Sequence, residues 1–197
     1  MSEFQIIFPA EDVFIPSKRA IIGQGLELET KAIPFELTNA YPDAEQIVSE
    51  LADLAQQYGT NPYLRDFVIS LFPSNMKQDD RKTQITAIVN FMKDKVIYVR
   101  DPNAIEYVQS PMNMLKQVCT LGKATGDCDD HVLFFNAMVN TVGFSTRVNT
   151  IKTGGSEYYN HVFSSVKNGS KWVDMDLCVK SNPYQDYSKY ERFYADS

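Results

Sequence analysis

Chemistry that needs a thiol or an imidazole has few candidates in this chain: three cysteines, Cys119, Cys128 and Cys178, and two histidines, His131 and His161. Context singles out Cys128. It lies in GDCDDHVLFF, residues 126 to 135, between acidic residues and directly ahead of an apolar run. Val132, Phe135, Met138 and Val139 recur at helical spacing, and Leu133, Phe134 and Ala137 widen the stripe to that of a buried helix. Gly143 suits the C-terminal stop. At the other end Asp127 is a good N-cap, Asp130 follows three residues later, and Gly126 is free to adopt a turn conformation. Cys128 then occupies the first turn, where the helix dipole favours thiolate over thiol. Asp127, Asp129 and Asp130 push the other way, so the helix alone does not activate the cysteine and a partner base is required.

The base is sought downstream. EYYNHVFSSV and SKWVDMDL read as strands separated by a compact turn containing Asn168 and Gly169. With those two as the loop, Lys167 opposes Ser170 and His161 faces Asp176. Opposed residues have Cβ atoms about 4.5 to 5.5 Å apart, close enough for a carboxylate to hold one imidazole nitrogen and fix its tautomer. Asp174 shares that face but opposes Phe163, one diagonal step away. On the other face Val162 opposes Met175 and Ser164 opposes Val173, which supplies an apolar patch for the core. A loop one residue longer would put His161 and Asp176 on opposite faces. A helix-mouth cysteine, a strand histidine and an adjacent-strand aspartate make up a Cys-His-Asp triad, provided the fold brings Cys128 to His161.

Each member also has a bland reading. Cys128 can be a buried structural thiol at a helix start, His161 a strand histidine in an aromatic cluster with Tyr159 and Trp172, and Asp176 a plain hairpin acid. His131 sits beside Cys128 on the same helix and is the poorer base, because the strand histidine is better placed to approach from outside. The rival chemistry is a zinc site from Cys128 and His131 with His161 and Cys119 or Cys178. Its spacings match no compact zinc pattern and it leaves Asp176 without a role, so no metal and no cofactor is expected. Cys119 and Cys178 read as core residues.

The elements that must position these groups are mostly helices upstream and strands downstream. Residues 3 to 37 hold β-favouring pieces broken by Pro9, Pro16, Gly23, Gly25 and Pro34, which suggests short strands or an extended arm. YPDAEQIVSELADLAQQYG predicts an amphipathic helix with Ile47, Leu51, Leu54 and Ala55 on its apolar stripe. NPYLRDFVISLF predicts a second helix, with Pro62 in its first turn. A third runs through Ile85, Ile88, Val89 and Met92 before the chain turns extended at VIYVR. SPMNMLKQV offers Ser110 as N-cap and Pro111 as first helical residue. Helices first and strands later indicate α+β. The expected organisation is a β-rich N-terminal arm over residues 1–40 and one domain over residues 41–197. The aromatic tail YQDYSKYERFY reads as a packed terminal helix or strap, in which Tyr184, Tyr187 and Tyr190 cover the core or mark a partner surface.

Composition bounds the function. Of 197 residues, 44% are hydrophobic and 22% charged, ordinary globular values. A net charge of -6 with no Lys/Arg run disfavours nucleic-acid binding. No stretch approaches the roughly 18 apolar residues of a membrane span. MSEFQIIFPAEDVF lacks the basic and apolar regions of a signal peptide, and three cysteines form no complete disulfide framework, so a soluble cytoplasmic protein is expected.

Four fragments, GDCDD (126–130), GFSTRV (143–148), NHVF (160–163) and WVDMD (172–176), together resemble the transglutaminase-like cysteine protease and hydrolase superfamily, in that family's order. The resemblance covers about residues 80 to 178. It implies a papain-like α+β core, with N-terminal helices followed by an antiparallel sheet packed on the nucleophile helix. It further implies Cys128 as nucleophile, His161 as general base and acid, and Asp176 as orienter, in a thiol-dependent acyl-transfer enzyme that hydrolyses a peptide or amide bond of a protein or peptide substrate. The family commonly continues Asp-Pro-Thr at the last acid, where this chain reads Asp176, Leu177, Cys178. For the oxyanion, the Cys128 backbone N–H is one donor and Gln109 the candidate for a second. DPNAIEYVQSP, residues 101 to 111, resembles transglutaminase-like proteins of tailed phages and prophages, which implies host cytoplasm or virion as location. The alternative function is a catalytically idle fold kept as a binding or assembly module, for example a virion component that docks on other virion proteins through the N-terminal arm.

Overall fold

A computed structural model describes residues 44–100, 108–179 and 182–197. The expected N-terminal strands and the boundary near residue 40 lie outside the described residues. In chain order the elements are α1 (Ala44–Tyr58), α2 (Pro62–Ser70), α3 (Arg81–Lys95), β1 (Val96–Tyr98), α4 (Pro111–Leu121), β2 (Ala124–Gly126), α5 (Cys128–Thr141), β3 (Thr146–Ile151), β4 (His161–Asn168), β5 (Lys171–Met175) and β6 (Arg192–Asp196). Helices precede the main sheet, as the pattern predicts for α+β.

The helix starts are set by side chains that take up orphan amides. Asn61 accepts from the amides of Tyr63 and Leu64 ahead of α2, Asp80 from Thr83 in α3, and Ser110 from Asn113 in α4. Pro62 and Pro111 fill first-turn positions that need no N–H donor. In α1 the buried stripe runs through Val48, Leu51, Ala52 and Ala55, while Ile47 and Leu54 flank it half-buried. The stripe is therefore centred about one residue further round than the largest side chains suggest, because two alanines allow close approach to the core.

Helix α5 is the central pillar, which explains why its sequence is apolar on every side. Phe134, Phe135, Ala137, Met138 and Val139 join a cluster with α2, α3 and α4. Val132 and Leu133 join a second cluster with α1 and with Val148 and Val162 of the sheet. No helix among the described residues is long and apolar enough to cross a membrane.

The main sheet is antiparallel throughout, in the order β5-β4-β3-β6. Strand β6 corrects the expectation of a terminal helix or simple strap: it pairs along β3 from Arg192 opposite Ile151 to Asp196 opposite Arg147. Its alternation is that of a half-buried strand, with Phe193 and Ala195 against the core cluster. On the outer face the Arg147 guanidinium lies over the rings of Trp172 (3.9 Å) and Tyr194 (4.1 Å) and pairs with Asp196. A two-stranded parallel sheet, Val96 opposite Ala124 to Tyr98 opposite Gly126, leads the chain into α5.

The β4–β5 hairpin differs from expectation in one respect that bears on the site. Its closing pair is Asn168 with Lys171, followed by Lys167 with Trp172, Ser165 with Asp174 and Ser164 with Met175. The loop is Gly169–Ser170 rather than Asn168–Gly169, and Gly169 has the positive φ (61°) that primed hairpin turns require at their first position. Cross-strand chemistry favours this register: Ser165 donates to Asp174 (2.8 Å), and the Lys167 ammonium lies 5.9 Å from the Trp172 ring centroid. The slip relative to the expected pairing is two residues, so facing partners change while no side chain changes face. His161 and Asp176 still share a face, as diagonal rather than direct neighbours.

Candidate active site

Cys128 is placed by the capping box that starts α5. Asp127 accepts from the Asp129 amide (3.1 Å) and Asp130 accepts from the Asp127 amide (3.3 Å). Asp130 is fully buried and also takes the Gln109 amide (2.6 Å) and Gln109 Nε2 (2.9 Å). A Cβ on Gly126 would fall 2.4 Å from Asp130 Oδ2 and 2.5 Å from its Cβ. Gly126 is outside the positive-φ region, so its glycine is required by the close approach of Asp130 and not by a turn conformation.

The same network corrects the expectation for Gln109. Its Nε2 donates to Asp130 and to the Thr125 carbonyl (2.7 Å), and its Oε1 accepts from Asn113 and Gln117. Both side-chain N–H donors are spent within the structure, so Gln109 braces the mouth of α5 and offers no side-chain donor to an oxyanion.

The electrostatics around Cys128 oppose ionisation. The donor atoms of Asp127, Cys128 and Asp129 lie within 4.8 Å of one another, and Cys128 Sγ is 3.6 Å from Asp129 Oδ1. Burial pushes the thiol well above its ordinary pKa, and the Asp129 and Asp127 charges push it further, with the Val162 backbone N–H acting in the opposite sense. The origin of that N–H is topological. The Lys167 amide points to Ser145 on the β3 side, so by the alternation of an antiparallel ladder the Val162 amide points to the β5 side. Strand β5 has ended there, its last rung being Met175 opposite Ser164. Val162 lies in the apolar cluster against which Cys128 packs.

His161, one residue earlier, begins β4. Its Nε2 lies 2.6 Å from Asp176 Oδ2. Asp176 is only 1% exposed; its Oδ2 also accepts from the Tyr187 hydroxyl (2.5 Å) and its Oδ1 from the Cys178 amide (3.0 Å). Burial alone would raise the Asp176 pKa, but the hydrogen bonds from His161 and Tyr187 outweigh it and hold the carboxyl below the usual range. The neutral imidazole then carries its proton on Nε2, which leaves Nδ1 as the basic nitrogen. The Cys178 amide bond is local to the turn that stands where the family commonly has Pro-Thr.

The aromatic surroundings of His161 are Phe163 (6.5 Å) and Tyr187 (6.2 Å), not the expected Tyr159 and Trp172. Trp172 lies under Arg147, and the Tyr159 ring lies 5.1 Å from the Lys152 ammonium. His131 is buried, bonded through Nδ1 to the Asp127 carbonyl (2.6 Å), and burial lowers its pKa. It reads as a brace of the helix start. Cys119 is exposed on α4, which corrects its reading as a core residue, and the acidic group around Cys128 includes neither histidine. Cys178 is half-buried, and burial together with the Asp176 charge pushes its thiol far up.

One contact escaped the sequence reading, that of Tyr187 with Asp176, which is reached only when the tail folds back; its signal in the sequence is the aromatic tail.

The family model of the transglutaminase-like superfamily matches residues 72–177. Among solved structures the chain is similar to a candidate protease from Parabacteroides distasonis (13% identity over 74% of this chain and 32% of that one, TM-score 0.47). It is also similar to calcium-bound LapG of Legionella pneumophila (16% identity, 73% of this chain and 80% of that one, TM-score 0.46). A candidate cysteine protease from Cytophaga hutchinsonii is similar at 13% identity, 87% of this chain, 55% of that one and a TM-score of 0.38. The aligned region spans about a third of the Parabacteroides chain, 32% of it. No curated protein sequence matches. The expected phage link rested on residues 101 to 111, of which 101–107 lie outside the described residues.

Proposed function

The chain belongs to the transglutaminase-like superfamily, and from that premise we propose that it is a cysteine-dependent enzyme that hydrolyses a peptide or amide bond in a protein or peptide substrate. The observation that carries this reading is the His161 Nε2 to Asp176 Oδ2 bond of 2.6 Å, made beside Val162 of the apolar cluster against which Cys128 packs.

In the proposed reaction His161 Nδ1 takes the Cys128 proton as the sulfur attacks the amide carbonyl, giving a tetrahedral intermediate. Asp176 keeps the Nε2 proton in place and stabilises the imidazolium. The imidazolium then gives its proton to the leaving amine, and the C–N bond breaks to leave a thioester. Water, deprotonated by Nδ1, attacks the thioester; the C–S bond breaks and Cys128 regains its proton. The Cys128 backbone N–H at the start of α5 is the oxyanion donor assigned in this scheme. Burial and the Asp129 and Asp127 charges raise the Cys128 pKa, so the thiol depends on His161 Nδ1 to take its proton.

The raised Cys128 pKa also supports a second reading, an idle fold used for binding or assembly. Alkylation of the three thiols by iodoacetamide, resolved by mass mapping across pH, together with hydrolysis of a denatured-protein pool, separates the two. The enzyme reading expects Cys128 to be alkylated faster than Cys119 and Cys178 near neutral pH, His161→Ala to remove that preference, and Cys128→Ala to lose activity by about 10³-fold or more. Undiminished hydrolysis by Cys128→Ala would exclude the proposed mechanism. Reaction of Cys128 only at the high pH of an unactivated thiol, with no hydrolysis, favours the assembly reading.

A further inference from the structure

The C-terminal segment returns over the hairpin and grips Asp176 at two points. The Asp176 amide donates to the Pro183 carbonyl (2.7 Å), and the Tyr187 hydroxyl donates to Asp176 Oδ2 (2.5 Å), the same oxygen that His161 Nε2 uses. The Tyr187 ring is fixed by its neighbours: Phe163 at 4.6 Å on one side, Tyr190 at 5.8 Å on another, and the edge of His161 at 6.2 Å. Arg192 lies over the Phe163 ring at 5.0 Å and is held by Asp174, which closes the platform on which Tyr187 rests. Asp176 is on the outer face of a hairpin beyond the last rung of β5, yet it is 1% exposed. Among the described elements, the segment that returns over it is the one carrying Tyr187.

We propose that Tyr187 is a positioning residue of this site: its hydroxyl fixes the Asp176 carboxylate against His161 and shares the oxygen that orients the imidazole. The inference rests on the His161–Asp176 reading of the site given above. A carboxylate with only a backbone amide on Oδ1 could still rotate about its side chain; a second donor on Oδ2, held by a packed ring, fixes it. Sharing also tempers the pair, because the phenol draws charge from Oδ2 and weakens its pull on the imidazole proton. The phenol stays protonated in this role, since burial and the Asp176 charge push its pKa up.

The other ionisable groups near the pair are Cys178 after β5, Asp174 of β5 with Arg192 of β6, and Asp127, Cys128, Asp129 and His131 at the mouth of α5. None is altered by Tyr187→Phe, which keeps the ring and removes one oxygen. With only two histidines in the chain, the ¹⁵N imidazole spectrum resolves His161 directly. The His161 Nε2 proton signal is expected to move downfield in Tyr187→Phe, as Asp176 Oδ2 accepts from the imidazole alone. Replacing Tyr187 with 3-fluorotyrosine, a stronger donor of nearly the same shape, is expected to move it upfield. The rate of Cys128 alkylation should change with the signal in each protein.

Nε2 proton signals unchanged in both proteins, or displaced in the opposite senses, would overturn the proposal. If Tyr187→Phe does not fold, the 3-fluorotyrosine protein decides by itself. A signal that moves as expected while Cys128 alkylation ignores it leaves Tyr187 as the positioner of a His–Asp pair and counts against the catalytic reading, so the two failures are distinct.

Discussion

Asp176→Asn tests the centre of the site at nearly constant shape. The carboxylate is 1% exposed and accepts three hydrogen bonds, two on Oδ2 and one on Oδ1. An amide cannot satisfy that pattern. With its oxygen at the Oδ2 position the NH₂ faces the Cys178 amide, and when flipped it faces the Tyr187 hydroxyl and His161. Either way at least one donor is set against another in a buried place, at a cost of about 1–3 kcal/mol, and the charge assistance of the remaining bonds is lost. A total near 3 kcal/mol corresponds to a fall in Tm of about 6–12 °C for a chain of this size. The pH dependence has a definite sign. The folded-state pKa of Asp176 lies below its ordinary value of 3.8, so its contribution to stability is present above that value and lost as pH falls through the folded pKa. The gap between wild type and variant should be constant from pH 7 to 5 and should shrink below about pH 4. Hydrolysis should drop by about 10³- to 10⁴-fold, because the imidazole is freed to take the wrong tautomer. Denaturant melts at pH 7, 5 and 3.5 with alkylation kinetics of Cys128 provide the check. A variant that melts within 1 °C of wild type and alkylates on the same pH profile would refute the reasoning, since three buried bonds cannot be both present and without effect.

Two further outcomes follow from the mouth of α5. Asp129→Asn removes a carboxylate that raises the Cys128 pKa and should shift the alkylation profile to lower pH; an upward shift would reverse the assigned sign. Asp130→Ala strips the acceptor from the Gln109 and Asp127 amides and from Gln109 Nε2 at a fully buried position, and should cost about 3–5 kcal/mol. Chemical denaturation measures it, and a loss under 1 kcal/mol would show that the brace is not structural.

What the sequence determined by itself is whatever rests on local periodicity and on parity. The capping box of α5, the first-turn prolines of α2 and α4, and the buried stripe of α3 follow from residue types three and four apart, and no distant contact overrules them. The shared face of His161 and Asp176 was legible for a related reason: side chains alternate with period two, so a two-residue slip moves every rung of the hairpin and leaves each residue on its face. Tertiary structure alone decided the rest. Asn–Gly and Gly–Ser are both acceptable loops, and only the cross-strand pairs Ser165–Asp174 and Lys167–Trp172 select the register. Gln109 could have been a free donor until Asp130, Thr125, Asn113 and Gln117 converged on it. The helix dipole favours a Cys128 thiolate in any sequence of this kind, but burial and two flanking charges reverse the outcome once the helix mouth is packed. Tyr187 reaches Asp176 only because β6 pairs with β3 and draws the tail across the hairpin. Periodicity reports which face a side chain occupies; which partner it meets there, and how much water is left around it, are fixed when distant segments pack.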